Sequence, residues 1–481
     1  MNNKTQNSCN IVLQSNEQHD CNPQDVGRSM IEFGCQKQPF YIFNMDEAYR
    51  RIQHFKNLMP RVQIFYAMKS NDTEIMLKLA IASGLGFDCA SPVEIYKLRQ
   101  LNASPESIIY TMPTKTTAHM QYARQSGVKY TMFDSSYELK KLKANWPDAR
   151  LLLRVRVGCG NEMKLEEKFG CDFETEAVDL LKEAASLGLR VIGVAFHLGR
   201  TCTINSYLVG LKYARALFDH EALAGRELRV VDIGGGFAGD RTDRVDQVSK
   251  LINRGIQEMF PDPRVQIIAE PGRYICESAF TLYCSIISVH KVKRNDKTVN
   301  MIYLNDGLYG TIRFSENWHT PTKFKRYESK ESEKLEETIL WGPTCDSYDR
   351  VMKMFIVELP RLTPSDWLVF HNHGAYTFTF ATRFSSLPIP LIRPVVSLNT
   401  MLQMKNNKVF SANDFIMQAN KSTALPLTIP PLSSKCEPSS KKTCYHLKTS
   451  TLTVQERDKA TCCTQNNNVT MADRMLTEKR I

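Results

Sequence analysis

The chain has 481 residues, 42% of them hydrophobic, and a formal net charge of +11. That length suits two or three domains with true cores. The positive excess is scattered over helix faces without a basic block interleaved with aromatics, and no run approaches the roughly 18 apolar residues of a membrane span, so nucleic-acid binding and membrane insertion are not expected.

Residues 1–38 are polar and read as an N-terminal segment that packs partly on a later β-domain. The first twenty show no apolar h-region, so no secretory signal is expected. The 14 cysteines form no CxxC pair; they read as reduced thiols of a cytoplasmic protein rather than as metal ligands.

Over 39–276 short apolar runs alternate with helical patterns. The strand candidates are "QIFYAM", "GFDCA", "SIIYTM", "YTMFD", "LLLRVRV", "VIGVAFH", "RVVDIGGG" and "VQIIAEPG". Between them lie patterns such as "TEIMLKLAIASG", "SPVEIYKLRQL" and "SYLVGLKYARALFDH". The alternation predicts a parallel α/β sheet, and about eight units in this length predict a TIM-like (β/α)8 barrel, with an open doubly wound sheet as the alternative. Residues 277–405 are β-rich and predict an all-β, Greek-key or sandwich-like domain. Its charge run "RYESKESEKLEE" reads as a solvated loop. Residues 406–481, rich in Ser, Thr, Lys and Asn, bury too little to fold alone and read as a disordered tail.

In a barrel the C-terminal ends of the strands face the active site. Lys69, Asp88, Arg154, His197, the glycines of "DIGGGFAGD", Glu270 and Arg273 all fall at or near such ends. Adjacent glycines after a strand let backbone N–H groups approach a phosphate, with a tight turn as the bland alternative. The run is neither GxGxxG nor a P-loop. A lysine, a phosphate cradle with an arginine, and a carboxylate together suggest pyridoxal 5′-phosphate (PLP), with Lys69 as Schiff base and Glu270 on the pyridine nitrogen.

The motifs "FYAMKSND", "GFDCASPVEI", "FHLG", "DIGGGF", "AEPGRY", "WGPTCDSYD" and "GAYT" resemble those of eukaryotic ornithine decarboxylases, over roughly residues 25–400. The resemblance implies a PLP-binding barrel, a β-domain and a homodimer with shared active sites. It implies that Lys69 carries the cofactor, that His197 stacks on its ring and that Glu270 meets the pyridine nitrogen. Gly235, Gly236, Arg273 and Tyr376 are implied for the phosphate, and Asp88 and Arg154 for the flanks of the Schiff base. Cys345 is implied as the proton donor supplied by the other subunit, Asp346 as the acid on the substrate's distal amine, and Phe384 as an aromatic near its carboxylate. The implied activity is decarboxylation of L-ornithine to putrescine and CO2, in polyamine biosynthesis.

Two positions depart from the pattern. Arg200 stands where the family has a phosphate-binding serine; a guanidinium there either binds the phosphate, the expectation favoured, or crowds it. Counted without a gap from "NDGLYG", the family's Tyr-Asp pair falls on Asn317 and Trp318. An indole in place of the second acid would favour an apolar amino acid such as leucine, although Glu316 is one slip away. The family also includes non-catalytic antizyme inhibitors. Residues 117–144 correspond to its antizyme-binding region.

Overall fold

The computed structural model describes residues 11–14, 22–34, 36–158, 167–199, 203–239, 244–294, 297–312, 320–324, 333–352, 356–404, 409–411 and 414–417. The chain opens with β1 (Ile11–Gln14), α1 (Pro23–Glu32), β2 (Phe40–Asn44) and α2 (Met45–Leu58). Eight strands follow: β3 (Val62–Ala67), β4 (Gly86–Cys89), β5 (Ile108–Tyr110), β6 (Tyr130–Phe133), β7 (Arg150–Arg154), β8 (Arg190–Ala195), β9 (Val230–Asp232) and β10 (Gln266–Ala269). All neighbours are parallel, and β10 returns to β3 to close a barrel. These are the eight runs expected from the sequence. Each is apolar nearly throughout because barrel strands are covered on both faces. Ile109, Met132, Leu152, Ile192, Val230 and Ile268, one from each of six strands, form a common buried cluster.

The helices are α3 (Glu74–Ala82), α4 (Pro92–Gln100), α5 (Thr117–Gln125), α6 (Ser136–Asn145), α7 (Ala177–Ser186), α8 (Ser206–Leu223), α9 (Arg244–Met259) and the short α10 (Arg273–Cys276). Local chemistry starts several of them. The side chains of Ser91, Thr116 and Ser135 accept the N–H of the third helical residue of α4, α5 and α6. None of the described helices is long and apolar enough to cross a membrane.

The second sheet is built from β11 (Phe280–Arg294), β12 (Lys297–Leu304), β13 (Thr322–Lys323), β14 (Leu335–Trp341), β15 (Arg350–Val351), β16 (Val357–Pro360), β17 (Trp367–Phe370), β18 (Leu391–Ser397) and β19 (Phe415–Met417), with α11 (Leu398–Met404) after β18. Its main path runs β15-β14-β12-β11-β2-β18-β1-β19, with parallel and antiparallel pairs. Val26, Met30 and Ile31 of α1 pack against Phe40, Ile42, Tyr283 and Trp367 of this sheet.

Three expected boundaries are corrected. Phe40–Asn44 lies inside the span 39–276 read as barrel, yet it pairs with β11 and β18 in the second sheet. The tail read as starting at 406 contributes β19, which pairs with β1. The charge run ends inside β14, where Glu337 pairs with Glu358 on β16. Arg200 and the stretch Glu316, Asn317 and Trp318 lie outside the described residues, as does the chain beyond 417.

Candidate active site

The barrel strands deliver polar residues to one rim. Lys69 sits in a single 3-10 turn (Met68–Ser70) directly after β3. Its Nζ donates to Asp88 of β4 and lies 3.9 Å from Glu270 Oε2, just past β10. Asp88 is fully buried and also accepts from the Thr111 hydroxyl. His197, two residues past β8, places Nε2 3.9 Å from the same Glu270 oxygen. Arg154 ends β7, its guanidinium 5.4 Å from the Phe169 ring centre.

This crowding sets the charges. Burial works against the Lys69 ammonium, but Asp88 and Glu270 together overcome it and raise its pKa. Burial, then the neighbouring Asp88 and Asp232, push Glu270 well above the usual carboxyl range. Burial also pushes Asp232 up to about 7. His197 is driven well below its ordinary value by burial, then by Lys69 and Arg154. Its Nδ1 accepts from Gly199 N at 3.1 Å, so the neutral ring carries its hydrogen on Nε2.

The glycine run follows β9. Gly236 has φ +98°, and a Cβ there would stand 2.2 Å from Gly199 O. A side chain is therefore excluded where the backbone turns under the rim. Arg273 opens α10 and lies 4.8 Å from the Tyr376 ring centre. Tyr376 itself has φ +60°, an uncommon conformation for a non-glycine residue. It is held there because its N–H donates to Ser70 O at 2.7 Å, while the Asn71 amide donates to Gly374 O at 2.8 Å. The loop of the second sheet is thus tied to the Lys69 turn. A narrow, glycine-lined approach, an arginine and a tyrosine beside a buried lysine and carboxylate fit a phosphorylated aldehyde cofactor.

The remaining expected residues form a second group. Asp346 accepts from the Tyr309 hydroxyl and from Tyr348 N, the latter at 3.0 Å. The Tyr309 hydrogen bond holds its pKa below the ordinary value. Phe384 stacks on Tyr309 with ring centres 4.6 Å apart, and Cys345 is an exposed free thiol. Among the described residues, no hydrogen bond or ion pair joins this group to Lys69 within the chain.

Known proteins resemble this chain over most of its length. Residues 45–277 match the model for the pyridoxal-dependent decarboxylase, pyridoxal binding domain. Ornithine decarboxylase of Rattus norvegicus is 36% identical over 386 residues, covering 77% of this chain and 83% of its own. The chain belongs to the eukaryotic ornithine decarboxylase family. Antizyme inhibitor 2 of Xenopus laevis is 35% identical, covering 73% of this chain and 79% of its own. Among solved structures, the arginine decarboxylase of Paramecium bursaria Chlorella virus bound to agmatine superposes with a TM-score of 0.71 at 30% identity. It covers 78% of this chain and all of its own. The chain is a PLP-dependent decarboxylase, and the barrel expected from sequence is the fold of this family.

Reading strand ends missed several members of the site. Ser70 and Asn71 follow Lys69 directly, but their partners lie some 300 residues away, beyond any local signal. Asp232 heads the quoted glycine motif and was passed over although it ends a strand. Glu277, the ion-pair partner of Arg273, stands four residues after it, a spacing that brings helical side chains together.

Proposed function

We propose that this family member decarboxylates an L-amino acid, with L-ornithine the first candidate, at sites shared between two subunits. The observation that carries catalysis is the intact constellation of Lys69 between Asp88 and Glu270, with His197 beside them. PLP, when bound, supplies the electron sink that lets the Cα–carboxylate bond break. Lys69 is the attachment point. Asp88, hydrogen-bonded to Nζ, holds it at the barrel rim. Gly235, Gly236, Arg273 and Tyr376 hold the phosphate. Glu270 would meet the pyridine nitrogen of the bound cofactor, and the neutral His197 ring would stack on the cofactor ring. Arg154 adds positive charge beside Glu270. Cys345 of the partner subunit would hold the proton that replaces the carboxylate.

The ornithine reading rests on Asp346, whose carboxylate suits a distal ammonium, and on relatives named as ornithine decarboxylases. A second substrate reading rests on Trp318. If the family's second acid is gone, a buried ammonium loses one partner, which typically costs about 3–5 kcal/mol. The aromatic pair of Tyr309 and Phe384 would then extend an apolar wall suited to leucine. The non-catalytic alternative, antizyme binding through α5 and α6, draws on relatives named as antizyme inhibitors.

The deciding experiment supplies PLP and carboxyl-labelled ornithine, lysine or leucine and counts released CO2, with Lys69→Ala as blank. Release from ornithine supports the first reading. Release from leucine alone transfers the assignment to the apolar substrate. No release from any of them defeats the catalytic reading in favour of the binding one.

A further inference from the structure

Arg273 is the cation assigned to the cofactor phosphate, yet within the chain it already has an anionic partner. Its Nη1 donates to Glu277 Oε1 at 2.5 Å. The two side chains keep only 18% and 13% of their surface, so water screens the pair weakly. The backbone that carries this carboxylate is held on both sides. Glu277 N donates to Arg273 O at 3.0 Å, and its carbonyl accepts from Gly374 N at 3.1 Å, in the loop that carries Tyr376. Its second oxygen, Oε2, faces Gly239 at the end of the glycine run, where an added Cβ would stand 2.1 Å away. On the other side the Arg273 guanidinium lies over the Tyr376 ring. One negative charge is thus built between Gly239 and Arg273, the arginine assigned to the phosphate.

We propose that Glu277 is a positioning residue that shares Arg273 with the cofactor's phosphate and loosens this chain's grip on that group. The proposal rests on the assignment of Arg273 to the phosphate. The chemistry is direct. A phosphate dianion gains from a guanidinium through charge-assisted hydrogen bonds. A carboxylate on the same guanidinium spends part of that charge and repels the incoming dianion at close range. The neutral part of the cofactor does not feel this repulsion. Glu277 should therefore lower the preference for the phosphorylated over the unphosphorylated aldehyde without touching the chemistry at Lys69.

The test measures equilibrium affinities of the full-length apoprotein for PLP and for pyridoxal by calorimetry, with Glu277→Gln, Glu277→Ala and Arg273→Ala beside wild type. Glu277→Gln keeps the size and a hydrogen bond to Arg273, so a folding defect in the alanine variant does not obscure the result. The expected outcome is a PLP-to-pyridoxal affinity ratio raised about tenfold or more by both Glu277 variants and lowered by Arg273→Ala. If Arg273→Ala lowers the ratio while both Glu277 variants leave it unchanged or lower it, Glu277 only orients the arginine and the proposal is overturned. If Arg273→Ala leaves the ratio unchanged, the phosphate assignment itself fails, and the proposal with it.

Discussion

Asp232 and Glu270 put two buried carboxyl groups where a hydrogen is needed. Asp232 Oδ1 accepts from Gly234 N at 2.8 Å, and Oδ2 is buried with no hydrogen-bonding partner. The group within its reach is the Glu270 carboxyl, itself an acceptor unless one of the two is protonated. One shared proton resolves the pair. Because native Asp232 keeps its proton to about 7 and the unfolded chain releases it near 3.8, the native state holds more protons in that window. Stability contributed by this group is therefore lost as pH rises from about 4 to about 7. Asp232→Asn supplies the hydrogen permanently through its amide and keeps the carbonyl for Gly234. Urea unfolding of the apoprotein near pH 5 and near pH 8 should show a smaller drop for the variant than for wild type. Glu94, which burial pushes up to about 7, titrates in the same window in both proteins and cancels in the comparison. Equal drops would rule out the shared proton.

At the level of elements, the Lys69 turn and the Gly374–Tyr376 loop belong to different sheets and are joined by two hydrogen bonds. Asn71 is wholly buried, its amide on Gly374 O and its carbonyl oxygen accepting from Thr73. Asn71→Asp keeps the acceptor for Thr73 and removes the donor, leaving oxygen against oxygen. The expected cost is about 1–3 kcal/mol, with faster amide exchange at Tyr376. Unchanged exchange there would show that the Tyr376–Ser70 bond and packing hold the loop without Asn71. The same long-range character explains what the sequence could and could not display. Eight barrel strands were legible because each is a continuous apolar run followed by a helical pattern. Phe40–Asn44 has a similar texture and falls inside the span 39–276 read as barrel. Only its pairing with β11 and β18, hundreds of residues away, puts it in the other sheet. Phe415–Met417 is three residues long and too short to carry a period. Within the site, Lys69, Asp88, Arg154 and Glu270 at or just past strand ends were legible, since a charge closing a buried strand needs a reason; Asp232 gave the same signal, hidden by the glycine motif it heads. Asn71 did not, because an uncharged amide beside a turn reads as turn chemistry.

At the scale of the whole molecule, the two halves of the proposed reaction sit on different elements of the chain. Lys69, Asp88, Glu270 and His197 crowd the barrel rim, while Cys345 stands exposed beside Asp346, Tyr309 and Phe384 on the second sheet. An exposed thiol beside an ionised carboxylate has no role in the chain's own fold. The same group becomes useful if it closes the barrel mouth of a second copy. Twofold symmetry then builds two equivalent sites, each with Lys69 from one subunit and Cys345 from the other. Lys69→Ala and Cys345→Ala should each be nearly inactive by themselves. Mixed in equal amounts and allowed to exchange subunits, they should recover activity. Random pairing makes half the dimers mixed, and one of the two sites in each mixed dimer is whole, so roughly a quarter of wild-type CO2 release is expected. Recovery must also depend on exchange, vanishing when each variant is crosslinked as a dimer before mixing. Exchange verified by differently tagged chains, with no recovery of activity, would mean that Lys69 and Cys345 act in the same subunit, and a Cys345→Ala variant active by itself would mean that Cys345 takes no part.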